Sequence, residues 1–286
     1  MAQTGVKKKR PPPHEYGRVI IDSYASPGQA SSADANPLPL WNLPARERAA
    51  RMARMAGSSS QAGRLAPVVF DHWIHRASYT CRLCHVDIGF AMSANGTGIK
   101  AADNIRGEYC GACHNGKTTH AGERIFGACS NQSKAEDART CNRCHSLGQG
   151  VSLRNDFATF TGKFPRESFG NGIGWIETEV KGLIKVMDSL EGLSAKTAPM
   201  KNPRDVTIAP NVAGMPDILF SHDKHSVWNG CELCHPDLFS SVQKSGGTPF
   251  SMDEIFEGKY CGACHGKVAF PMMECRRCHS KPVAEK

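Results

Sequence analysis

Six times in 286 residues, two cysteines three positions apart are followed at once by a histidine. The six runs are Cys81-Cys84-His85, Cys110-Cys113-His114, Cys141-Cys144-His145, Cys231-Cys234-His235, Cys261-Cys264-His265 and Cys275-Cys278-His279. They use twelve of the thirteen cysteines, leaving Cys129. The pattern reads as covalent attachment of c-type haem. Two thiols add across the two porphyrin vinyl groups, and the adjacent imidazole becomes the proximal ligand of the iron.

Competing uses of cysteine fit less well. Zinc takes two Cys-x-x-Cys pairs per metal and has no use for a histidine after each. Disulfide frameworks vary their spacing, and a thioredoxin-type pair occurs once, at a helix start. Cys129 reads as a small buried side chain or a reactive thiol. Hydrophobic residues at 40% and charged residues at 22% exclude wholesale disorder. No apolar run is long enough for a transmembrane helix.

Six histidines remain: His14, His72, His75, His120, His222 and His225. An electron-carrying haem takes a second axial ligand, usually His or Met. Four of the six form i, i+3 pairs, His72 with His75 just before Cys81 and His222 with His225 just before Cys231. On one turn of a short helix both imidazoles of a pair can reach two different irons.

The offsets reveal an internal duplication. Adding 150 to His72, His75, Cys81, Cys84 and His85 gives His222, His225, Cys231, Cys234 and His235. Tyr109-Cys110-Gly111-Ala112-Cys113-His114 returns letter for letter at Tyr260-Cys261-Gly262-Ala263-Cys264-His265. The first copy carries an insert, holding His120 and Cys129, between its second and third motifs. Units this small make a marginal core from polypeptide alone. Haem fills the core instead, which predicts short helices at the motifs and irregular chain elsewhere.

His-x-x-His, then Cys-x-x-Cys-His, then Cys-Gly-Ala-Cys-His, then a last Cys-x-x-Cys-His resembles the trihaem domain of class III multihaem cytochromes. The resemblance implies a haem-cored, mostly irregular fold with short α-helices, in two trihaem units, and six covalently bound haem c. It implies that His72 pairs with His85, His75 with His145, His222 with His235, and His225 with His279. For the middle haem of each unit, relatives place a His or Met a few residues upstream. In the second unit that stretch holds Met252; in the first, Met92, His120 or His14 would have to serve.

The expected organisation is an N-terminal extension over 1–65, basic and rich in Pro and Ser, then trihaem domains over 66–146 and 215–286. A linker over 147–214 joins them. Within it Ile176, Val180, Leu183, Ile184, Met187 and Leu190 predict an amphipathic helix over 175–190. A second short helix is expected over 45–56. The run Lys7-Lys8-Lys9-Arg10 has no apolar stretch after it, so it is not an intact secretory signal. Haem attachment belongs outside the bacterial cytoplasm, as the resemblance implies, so the expected location is periplasmic or extracellular.

Formal net charge is +8. Each haem brings two propionates, and ferric iron in the porphyrin dianion returns one positive charge. Six haems thus shift the sum to about +2 oxidised and about −4 reduced. A nucleic-acid reading loses its basis. The leading expectation is an electron carrier that hands electrons between closely spaced haems, since Cys275 follows Cys261 by only 14 positions. Its partners would be redox proteins: a membrane-side donor, and a terminal acceptor or outer-membrane conduit. Two alternatives stand beside it. One is a reductase with an open haem at Cys110, Cys113 and His114. The other is a self-assembling cytochrome in which His14 ligates a haem of a neighbouring subunit.

Overall fold

In the computed structural model, the described residues are 12–21, 67–128, 140–145 and 156–281, apart from 197, 199, 202, 203, 211, 213 and 242–246. Cys129, the basic run at 7–10 and the helix expected over 45–56 lie outside them. Among the described residues regular structure is sparse, as the haem-cored reading of the sequence expects. Among the described residues most α-helices run four to six residues, and the longest is His222–Asn229. No helix among them is long and apolar enough to cross a membrane.

The chain divides into two compact units, Met1–Ile74 with Ser93–Lys163, and His75–Met92 with Phe164–Lys286. In the first, strand β1 (Arg18–Ile21) pairs antiparallel with β2 (Val68–Asp71), Arg18 opposite Asp71. Helix α1 (His72–Arg76) follows β2 directly. Trp73 is buried on it, edge-on to Phe157 of helix α3 (Phe157–Phe160) with ring centroids 5.2 Å apart. The backbone N–H of Val69 donates to the Cys144 carbonyl at 2.8 Å, tying β2 to the third attachment motif.

The second unit repeats this plan. Strand β5 (Val206–Ile208) pairs with β6 (Asp217–Phe220), and helix α5 (His222–Asn229) follows. On the other edge of β6 lies β7 (His279–Lys281), which begins at the histidine of the last motif. The place that Val69 and Cys144 hold in the first repeat is taken here by Ile218 opposite His279.

Residues 75–92 belong to the second unit, and the reason is visible in their bonds. Thr80 N–H donates to the Met187 carbonyl at 3.0 Å and Met187 N–H donates to the Ser78 carbonyl at 2.8 Å. The Arg76 guanidinium lies 4.8 Å from the Trp175 ring centroid and 4.9 Å from that of Trp228, a cation–π arrangement on two faces. The stretch read as a linker thus contributes core: Ile173, Trp175, Thr178, Ile184 and Leu190 are buried.

The amphipathic helix expected over 175–190 is a correction. Helix α4 spans Trp175–Val180 only. Gly182 takes φ +66°, with Gly182 N–H bonded to the Glu179 carbonyl and Leu183 N–H to that of Thr178. This is a glycine C-terminal stop, in which the left-handed residue turns the chain off the helix axis. The buried face is therefore set by Trp175 and Thr178, while Ile176 and Val180 are 59% and 82% exposed. Apolar spacing alone could not register the stop.

Candidate haem sites

Each attachment motif is one helical turn. The histidine N–H donates to the first cysteine's carbonyl at 2.8 Å for His114 and His145, and 3.0 Å for His235 and His265. His279 does the same to Cys275. Positions i, i+3 and i+4 of a turn project to one side, so two thiols and an imidazole could engage one planar group together. At the first motif Leu83–Asp87 forms a π-helical turn, with Ile88 N–H bonded to the Leu83 carbonyl at 3.0 Å. Single π turns concentrate at functional sites.

The ring nitrogens are committed in a consistent way. His85 Nδ1 donates to the Phe90 carbonyl at 2.9 Å, His235 to Phe239 at 2.7 Å, His265 to Phe270 at 3.2 Å, and His279 to Pro216 at 2.9 Å. Among the upstream histidines, His72 Nδ1 donates to the Gly17 carbonyl. His222 donates to Arg204 at 2.9 Å and His225 to Ser221 at 2.8 Å. A carbonyl only accepts, so the proton of each ring sits on Nδ1. Nε2 keeps its lone pair, and the hydrogen bond raises its basicity. Seven imidazoles thereby carry the tautomer that iron ligation through Nε2 would use.

Burial acts in the same direction. Desolvation holds His85, His114, His225 and His265 below the usual histidine range, favouring the neutral, ligating form. The same cause pushes the thiols of Cys261 and Cys264 up to about 11 and about 12. A buried thiol of this kind is a poor thiolate nucleophile, which weighs against a thiol-exchange role for these pairs.

The middle motif of each repeat is held by a close approach. Helices α2 (Ala101–Ile105) and α6 (Met252–Phe256) run just ahead of it. Both are capped from behind, by Lys100 N–H on the Asp103 carboxylate at 2.8 Å and Ser251 N–H on that of Glu254 at 2.9 Å. A methyl group on Gly111 would overlap the Asn104 carbonyl, and one on Gly262 would overlap that of Ile255. Tyr109 and Tyr260 enter the motif at φ +45° and +49°, a conformation that strains an L side chain.

The rings of His225 and His265 lie with centroids 6.3 Å apart and planes tilted by 53°. Two metal–nitrogen bonds of about 2.0 Å leave a separation of this order between two imidazoles that share a metal. The resemblance implied His279 as the partner of His225; a motif histidine whose ring lies near it is His265. Met252, the expected ligand there, opens helix α6 with its side chain 39% exposed.

The remaining candidates are placed as follows. His120 ends the two-residue strand β3 (Thr119–His120), paired with β4 (Glu123–Arg124) across a two-residue turn. His14 lies in the turn Pro13–Glu15, half exposed and 3.7 Å from the Glu15 carboxylate. His114 packs against Phe126, centroids 4.5 Å apart, and the Arg143 guanidinium covers the Phe126 ring. Sequence reasoning missed the carbonyl acceptors. The nearest signal was a phenylalanine four or five residues after three motif histidines, Phe90, Phe239 and Phe270.

Six thioether-forming turns with imidazoles poised for iron define a multihaem c-type cytochrome with six covalent haem c sites. The family model described as cytochrome c7 and related cytochrome c matches residues 68–146 and 218–281, half of the chain, and the chain belongs to that family. Solved structures similar to it include the C-terminal hexahaem fragment of GSU1996, at 25% identity and TM-score 0.24, covering 77% of this chain and 93% of that one. The dodecahaem cytochrome c GSU1996 itself matches at 25% identity and TM-score 0.25, covering 75% and 71%. Its N-terminal hexahaem fragment matches at 24% and 0.20, covering 77% and 94%. No curated relative matches the chain.

Proposed function

We propose that the protein is a hexahaem electron carrier of the bacterial periplasm or cell exterior, serving anaerobic respiration between a membrane-side donor and a terminal acceptor or outer-membrane conduit. When bound, each haem supplies a one-electron iron couple. What the chain supplies is pre-orientation. The observation that carries this reading is the set of Nδ1 bonds to main-chain carbonyls. Rings anchored at the backbone keep their ligating nitrogens in place when iron changes charge, so little reorganisation accompanies electron transfer.

His225 and His265 form one axial pair on this reading. It gives the middle haem of the second repeat two imidazoles in place of the imidazole and thioether that Met252 would provide. An electron carrier keeps every iron six-coordinate. Carbon monoxide added to the reduced protein is expected to leave the visible spectrum unchanged. One equivalent bound, with the change confined to the haem of Cys110 and Cys113, would replace the carrier with a reductase.

A further inference from the structure

Strand β1 is separated from its partner by a long stretch of chain: Arg18 and Asp71 are 53 positions apart. In the second repeat the same place beside the histidine pair is filled by β5, which is joined to β6 by eight residues. The two registers coincide. Arg18 faces Asp71, so the residue before it, Gly17, falls opposite His72. Val206 faces Phe220, so Arg204 falls opposite His222. In both, the carbonyl at that position accepts the Nδ1 proton of the first histidine. Both upstream strands lie outside the matched stretches 68–146 and 218–281.

A short connection holds β5 against β6 at low entropic cost, whereas a long one leaves the strand to be held by its own contacts. The first repeat has such a contact. The Arg18 guanidinium grips the Asp71 carboxylate at 2.7 Å from Nε and 3.2 Å from Nη2, and its Nη1 lies 3.5 Å from the Glu15 carboxylate. Both side chains of the two-pronged pair are largely buried, at 14% and 21% exposure. Gly17 is buried and takes φ +77°, which turns the chain from Pro13–Glu15 into the strand.

We propose that residues 12–21 belong to the first haem unit and act as a clamp on His72, with Gly17 and Arg18 as positioning residues that set the reduction potential of the haem His72 ligates. The segment is not a detached extension. It rests on the haem reading above. The carbonyl draws the Nδ1 proton and makes the ring a stronger donor, which favours ferric iron. Loosening the clamp weakens that donor, so ferric iron loses stabilisation and the potential rises.

The test is redox titration of the full haem-loaded protein carrying Arg18→Ala with Asp71→Ala, a change that leaves net charge as it was. One of six potentials is expected to rise by about a tenfold change in its equilibrium constant, 59 mV for one electron. Exchange of one hyperfine-shifted ring N–H proton with solvent should quicken in parallel. The reversed pair, Arg18→Asp with Asp71→Arg, is expected to restore both. If the double alanine variant does not fold, Arg18→Lys gives a smaller rise of the same sign, because an ammonium cannot reproduce the planar fork. Six bound haems with unmoved potentials would overturn the clamp alone, as would the same shift in the reversed pair. A wild-type chain that takes up no haem would overturn the reading beneath it as well.

Discussion

Cys231→Ala combined with Cys234→Ala removes one haem and leaves five, lowering haem absorbance per polypeptide by one sixth. The reasoning is covalent. Thioether attachment needs both thiols on the turn that carries His235, whose N–H bond to the Cys231 carbonyl fixes that turn. No other motif shares those thiols, so the loss stays at one. Haem determination against protein concentration checks it. A zinc-binding chain would behave otherwise: because one metal draws on two pairs, deleting one pair would strip the ligands from a second motif too.

Gly262→Ala is expected to be the most damaging substitution outside the cysteines and histidines. The added methyl would overlap the Ile255 carbonyl. Neither atom can rotate away, because Gly262 lies in the turn Tyr260–Ala263 and Ile255 is buried in helix α6. The helix and the attachment turn must separate, at a cost of about 3 kcal/mol in unfolding free energy, and the haem of His265 should be the first lost. Gly111→Ala repeats the effect against Asn104. Gly107→Ala is the contrast: it takes φ +88° but has open space around it. Backbone strain alone then costs about 1 kcal/mol. Denaturant unfolding of the three variants ranks them; equal costs would remove the close-approach argument.

Much of the site was legible because its chemistry demands contiguous residues. Two thiols and an imidazole must share one turn, so Cys-x-x-Cys-His survives as a string, and the His-x-x-His pairs survive for the same reason. The duplication followed from equal offsets. The acceptors of the Nδ1 protons were invisible, since any residue offers a carbonyl: Gly17, Arg204 and Ser221 share no side-chain character. Strand β1 was hidden by the chain between Ile21 and Val68, which made residues 12–21 resemble a tail in composition. Helix α4 was overextended because apolar periodicity continued past the glycine stop at Gly182. The approach of His225 to His265 is tertiary, and offsets along the chain do not encode it.

Every role assigned to the chain depends on its carrying six thioether-linked haems. Intact mass of the purified protein, from cells able to mature c-type cytochromes, tests it most directly when read beside a pyridine haemochrome count. The expected mass exceeds 31.0 kDa by that of six haems, with six haems per chain. A colourless protein at the bare polypeptide mass, with zinc bound to its cysteines, would contradict it.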